Sequence, residues 1–128
     1  MSLRGEDAGI EMRLPATSWS PRIARRFVAA RLNESLSGQD VVGAAALVTS
    51  ELVTTAVQHR NATVRVRVET LADHVRVEVS DRAAPRSGGS DQLALSNGGP
   101  PLVGRLCDRW GVAETNGERS VWCTFRLA

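Results

Sequence analysis

The chain has 128 residues, of which 42% are hydrophobic and 23% charged, and its formal net charge is +2. That size and balance suit one globular domain with its own core, and they exclude a fibrous or wholly disordered polypeptide. All 16 cationic side chains are arginine, which excludes a lysine Schiff base, a lysine general base and a P-loop lysine. The arginines are spread along the chain without a dense basic run, so direct nucleic-acid binding is not indicated.

The first nine residues offer no apolar anchor and are expected to fray, leaving 10–128 as the domain. MSLRGEDAGIE carries acidic residues and no apolar run, so it does not read as a secretory signal. Ile10, Met12 and Leu14 alternate with Glu11 and Arg13, the period of a half-buried strand, and Pro15 ends it. Ser20-Pro21 then reads as an N-cap with proline at the first helical position. Ile23, Phe27 and Ala30, with Ala24, Val28 and Leu32, recur at helical spacing, which predicts a first helix from about Pro21 to Leu36.

Ser37-Gly38 breaks that helix and Asp40 can cap a second, from Val41 to about His59, with an apolar stripe through Ala45, Val48, Leu52 and Ala56. Gly43, Thr49, Ser50, Glu51, Thr54 and Thr55 make this stretch too polar to be read as a membrane span; a cytoplasmic location is expected. Residues 63–70 and 74–80 alternate strictly, predicting two antiparallel strands with Val64, Val66, Val68, Val75, Val77 and Val79 on one covered face. From Asp81 to Pro101 the pattern dissolves over about twenty residues, longer than an ordinary connection. Pro101, Leu102, Val103, Leu106, Cys107 and Trp110 signal a third helix with Gly111 as its stop. Val112–Thr115, the Asn116-Gly117 turn and Ser120–Leu127 form a closing hairpin. The implied class is α+β: a two-layer sandwich, its mixed, mostly antiparallel sheet covered on one face by three helices.

Glu51, Thr55 and His59 stand at i, i+4 and i+8, on one side of the second helix at the edge of its apolar stripe. As residues alone they are either a solvated rim or the lip of a site. Zinc is excluded, because Glu51 and His59 lack the tighter spacing of a helical metal motif and His74 lies on a separate strand. Cys107 and Cys123 sit in apolar surroundings and read as buried reduced thiols.

Here a family resemblance enters. LVTSELVTTAVQH (Leu47 to His59) resembles the second-helix motif SELVTNAVRHG of bacterial anti-sigma-factor serine kinases. These belong to the histidine-kinase-like ATPase (GHKL) superfamily, whose fold is shared by gyrase, Hsp90, sensor histidine kinases and MutL. VRVEVSD (Val75 to Asp81) resembles the strand leading into that family's adenine-binding aspartate. LVGRLCDRWGV (Leu102 to Val112) is similar to its LVDALADRWGV, ERSVWCTFRL (Glu118 to Leu127) to its GKTVWFELRL, and SPRIARRFVAARL (Ser20 to Leu32) to its first helix.

The resemblance implies ATP or ADP with Mg²⁺ as ligand, Glu51 as general base and Asp81 as the adenine acceptor. It puts Thr55 where the family has a magnesium-coordinating asparagine, a departure to a shorter side chain. It further implies Ala83, Pro85, Asn97, Gly98, Gly99 and Thr124 as nucleotide-contacting positions. After Asp81 the family often has D-x-G-x-G, whereas this chain has Asp81-Arg82-Ala83-Ala84-Pro85, without either glycine. The family's GRGL box appears as Asn97-Gly98-Gly99-Pro100; the glycines remain at a helix N-terminus that suits phosphate, but Pro100 and Pro101 remove two N–H donors.

The implied partners are a sigma factor or an anti-sigma-factor antagonist, with no membrane. Family members pair, and the strand Ile10 to Leu14 is a candidate edge for a homodimer. Arg22, Arg25, Arg26 and Arg31 on the first helix are a candidate partner surface. Two functions follow: a nucleotide-dependent serine kinase in a partner-switching transcriptional system, or a non-catalytic member that holds a protein partner without nucleotide. A small hydrolase on an unrelated sandwich lacks a Ser–His–Asp arrangement, a glycine-elbow serine or a metal cluster.

Overall fold

A computed structural model describes residues 9–36, 40–59, 63–82, 101–115 and 117–127. The elements are β1 (Ile10–Leu14), α1 (Ser20–Leu36), α2 (Asp40–His59), β2 (Val64–Thr70), β3 (His74–Arg82), α3 (Pro101–Leu106), β4 (Arg109–Thr115) and β5 (Glu118–Arg126). Five strands form one sheet in the order β1-β2-β3-β5-β4, with β1 and β4 at the edges. Every pairing is antiparallel, so the sheet is not mixed among the described residues.

The strict alternation of valines becomes one buried layer. Val64, Val66, Val68, Val75, Val77 and Val79 all lie inward, joined by Val121, Cys123 and Phe125 of β5, because side chains at i and i+2 share a sheet face. Helices cover that face. In α1 the Ala24, Val28 and Leu32 stripe enters the core, while Ile23 stays exposed and Phe27 packs at the margin. Ser20 is fully buried, and its hydroxyl donates to the Pro15 carbonyl, tying the turn between β1 and α1.

Helix α2 supplies Val42, Ala45, Val48, Leu52, Val53 and Ala56 to the same core. By length and composition it is long and apolar enough to cross a bilayer, but its apolar residues are packed on α1 and the sheet as a core helix. Its hydroxyls turn back on its own backbone. Thr49, fully buried, donates to Ala45 O at 2.7 Å, and Ser50, Thr54 and Thr55 make equivalent bonds. Such back-bonding satisfies polar groups that would otherwise be costly in an apolar layer.

The third helix stops earlier than predicted, at Leu106, and the residues expected to finish it begin β4. Asp108 explains the switch: its N–H donates to Thr124 O at 2.8 Å, and its carboxylate accepts the N–H of Arg126. With both contacts made to β5, the chain is committed to a strand. Gly111, expected as a helix stop, instead lies opposite Trp122 in the ladder. A Cβ there would fall 2.7 Å from the Trp122 ring, so the indole lies where any other residue would need space.

The outer face of the sheet is a mesh of charge. Glu11 lies within ion-pair distance of Arg13, Arg65 and Arg67; Arg67 meets Glu69, and Arg76 meets Glu78. Arg65 reaches Glu118 at 2.8 Å. Residues 1–8, expected to fray, lie outside the described residues.

Candidate functional site

Asp81 continues the inward parity of Val75, Val77 and Val79, so β3 carries a carboxylate into the helix-covered layer near its end. Its cross-strand partner on β5 is Arg119, inward by the same parity as Val121 and Cys123. The two side chains are 4% and 5% exposed, with Arg119 Nε 3.9 Å from Asp81 Oδ1. A charge this deeply buried is tolerable only when compensated, and the pair supplies that compensation across the ladder.

Helix α2 passes above the pair and contributes Leu52, Thr55 and Ala56 to a cavity completed by Val79, Asp81, Arg119 and Val121. The space is about 20 Å³, room for about one water. Thr55 and Asp81 therefore share one hollow, whereas the convergence expected from the sequence is that of the Glu51 and Asp81 carboxylates. The Thr55 hydroxyl is already directed along its own helix, donating to Glu51 O at 3.1 Å. Glu51 is half-buried one turn before Thr55 and is not part of the cavity wall.

Other expected site residues fall elsewhere. Thr124 has the opposite parity to Arg119 and opens on the outer face, in a separate groove of about 350 Å³ with Asp73, His74, Asp108, Arg109, Trp122 and Arg126. It does not share the hollow of Asp81, because the odd step of five residues from Arg119 to Thr124 along β5 reverses the face. In that groove His74 Nδ1 lies 2.8 Å from Asp73 Oδ1, and this hydrogen bond holds the Asp73 carboxyl below its ordinary value. Arg76 sits over the Trp122 ring at 5.5 Å, a cation–π contact. Ala83, Pro85, Asn97, Gly98 and Gly99 lie outside the described residues, as does the His59 side chain.

Sequence reasoning missed Arg119. The signal was available: residues 119, 121, 123 and 125 share a parity, and three of the four are Val, Cys and Phe. A cation in that row must be buried and must find a carboxylate.

The hollow has room for about one water, whereas small-molecule sites are clefts of about 300–1,000 Å³. The carboxylate expected to read adenine faces an arginine, and the hydroxyl expected to hold the cation donates to a backbone carbonyl. Among the described residues there is also no cluster of three or more His, Cys, Asp or Glu able to hold a metal ion.

Comparison with solved structures finds a match to the crystal structure of the RsbU and RsbW domains of Rv1364c from Mycobacterium tuberculosis. The match has a TM-score of 0.69 at 23% identity and covers 94% of this chain. The chain has the fold of an RsbW domain. It spans a third (33%) of the length of the matched chain. No family model and no curated protein matches it. The RsbW-like fold bears out the sandwich expected from the resemblance, helices on one face of an antiparallel sheet. Within that fold Asp81 and Thr55 converge where the helix crosses the end of β3.

Proposed function

We propose that this chain is a regulator of the anti-sigma-factor type, acting in a cytoplasmic partner-switching system by holding a sigma factor or its antagonist. The observation that carries the reading is the RsbW-domain fold over 94% of the chain, joined to the second-helix segment that resembles the anti-sigma-factor motif. Helix α1 supports it. Trp19 is 59% exposed, and Ile23, whose N–H donates to Trp19 O, stands one turn on with Arg22, Arg25 and Arg26 exposed beside it. Exposed tryptophan with arginine is the composition of a protein-binding surface. Arg31 is drawn aside by Glu34 at 3.1 Å. A homodimer through the edge strand β1 belongs to the same proposal.

On whether nucleotide takes part, the buried Asp81–Arg119 pair and the 20 Å³ hollow favour the non-catalytic reading. The kinase reading rests on the resemblance alone, with Glu51 as base and ATP or ADP with Mg²⁺ as ligand. Two measurements test the proposal. A pairwise interaction screen against the sigma factors and antagonist proteins of the source cell should return a specific partner; binding to none of them would refute it. Isothermal titration with Mg-ATP should show no heat of binding at millimolar nucleotide. Micromolar binding would instead establish the kinase-type reading.

A further inference from the structure

The groove on the outer face of the sheet, opposite the Asp81 hollow, is not used by the proposed function. Its shape follows from the ladder. Thr124 lies between Arg76 on β3 and Arg109 on β4, with Trp122 and Arg126 two residues away along β5 and His74 opposite Arg126. Side chains at these positions share the outer face, so one short residue is ringed by long ones and becomes a floor. The space above it is about 350 Å³, within the range of small-molecule sites, about 300–1,000 Å³.

The walls are held in place. The Trp122 indole lies over Gly111, whose lack of a side chain leaves the room it occupies, and the Arg76 guanidinium, 3.3 Å from Glu78, sits over the ring at 5.5 Å. The Leu127 N–H donates to Asp73 O at 2.9 Å, which pins the β2–β3 turn to the end of β5. Asp108 is fixed to the same strand by its own N–H, which donates to Thr124 O, and by the N–H of Arg126, which its carboxylate accepts. A site built from a ladder and two pinned turns needs little ordering when a ligand arrives.

The polar groups of the groove are used unequally. Both carboxylates accept hydrogen bonds from within the chain, Asp73 from His74 Nδ1 at 2.8 Å and Asp108 from the Arg126 N–H. Among the described residues the Arg109 and Arg126 guanidiniums make no ion pair, and the Thr124 hydroxyl makes no hydrogen bond. Acceptors are taken and donors are not, so the groove selects an anion. Two aspartates against two arginines leave little net charge to hold a dianion, whereas a planar carboxylate matches a guanidinium through two parallel hydrogen bonds. The uncovered part of the Trp122 ring adds an apolar wall, suited to the offset or edge-to-face contact that aromatic rings prefer. We propose that this groove is a binding site for a small aromatic carboxylate, its charged end held by Arg109, Arg126 and the Thr124 hydroxyl and its ring packed on Trp122.

The test titrates the isotope-labelled full chain with naphthoate and follows backbone and indole N–H resonances by NMR. The amides of Arg109, Thr124 and Arg126 and the Trp122 indole N–H should shift together and saturate as a single site in the millimolar range or tighter. Acetate, which lacks the ring, naphthamide, which lacks the charge, and inorganic phosphate should each bind at least tenfold more weakly. Arg109→Gln, an exposed change on an edge strand, should lower naphthoate affinity at least tenfold, the loss expected for a charged hydrogen-bonding partner, with Tm unchanged. Trp122→Leu should lower it as well. The idea is overturned if naphthoate moves none of these resonances at millimolar concentration, if its shifts cluster on α1 or around Asp81 instead, if acetate or phosphate binds as tightly, or if Arg109→Gln leaves the affinity as it was.

Discussion

Replacing Asp81 with asparagine removes one charge from a buried pair and strands the other. At 3.9 Å and an effective dielectric constant of about 20, the lost attraction is about 4 kcal/mol. Removing one partner of a buried pair typically costs about 3–5 kcal/mol, so a loss of about 3–4 kcal/mol is expected for Asp81→Asn. A domain of 128 residues unfolds with an entropy of about 0.27 kcal/mol/K, which converts that loss into a fall in Tm of roughly 11–15 °C. Arg119→Met should cost a similar amount by removing the cation beside the buried Asp81 carboxylate. The double variant Asp81→Asn/Arg119→Met should recover most of the loss, because a neutral pair of similar volume carries no stranded charge. Thermal melts followed by circular dichroism, with urea titrations at one temperature, complete the cycle. If the double variant is no more stable than the worse single one, the pair is not coupled and the account of the site is wrong. The same cycle bears on the nucleotide titration: a single Asp81 variant can lose binding by unfolding, so the double variant is the sound control.

Two further perturbations separate surface from core. Trp19→Ala should weaken partner binding at least tenfold, about 1.4 kcal/mol or more, while Tm stays within a degree or two; an unchanged affinity by titration with the identified partner would remove Trp19 from the interface. Gly111→Ala drives a methyl group into the Trp122 ring and should destabilise by about 1–3 kcal/mol, with a shift in tryptophan emission. Gly111→Ala/Trp122→Leu should recover part of that loss in the same urea titration.

The alternating valines of β2 and β3 made the sheet legible, since a period of two with one apolar parity has a single solution when one face is covered. Helices α1 and α2 were equally clear from caps and spacing. The boundary between α3 and β4 was not, because Val103, Leu106, Cys107 and Trp110 satisfy helical spacing and the decision is made elsewhere, by the two bonds from Asp108 to β5. Tertiary contacts of that kind leave no local trace. The site was legible in part: strand parity carries Asp81 into the helix-covered layer, but Glu51, whose carboxylate was expected to meet it, does not line the hollow. Arg119 and Thr124 went astray for a single reason, that the parity rule applied to β2 and β3 was not carried through to β5.

Helix α2 carries a burden during synthesis. It leaves the ribosome after β1 and α1, while the four strands that complete its shelter, β2 to β5, lie between residues 64 and 126. At about 5–20 residues per second that interval lasts roughly 3–13 s. For those seconds a segment apolar enough to enter a bilayer is present without the surface it was shaped to meet. Chaperone holdases and the membrane insertion machinery compete for such segments, so yield from expression should be more sensitive to translation speed and chaperone supply than the finished fold would suggest.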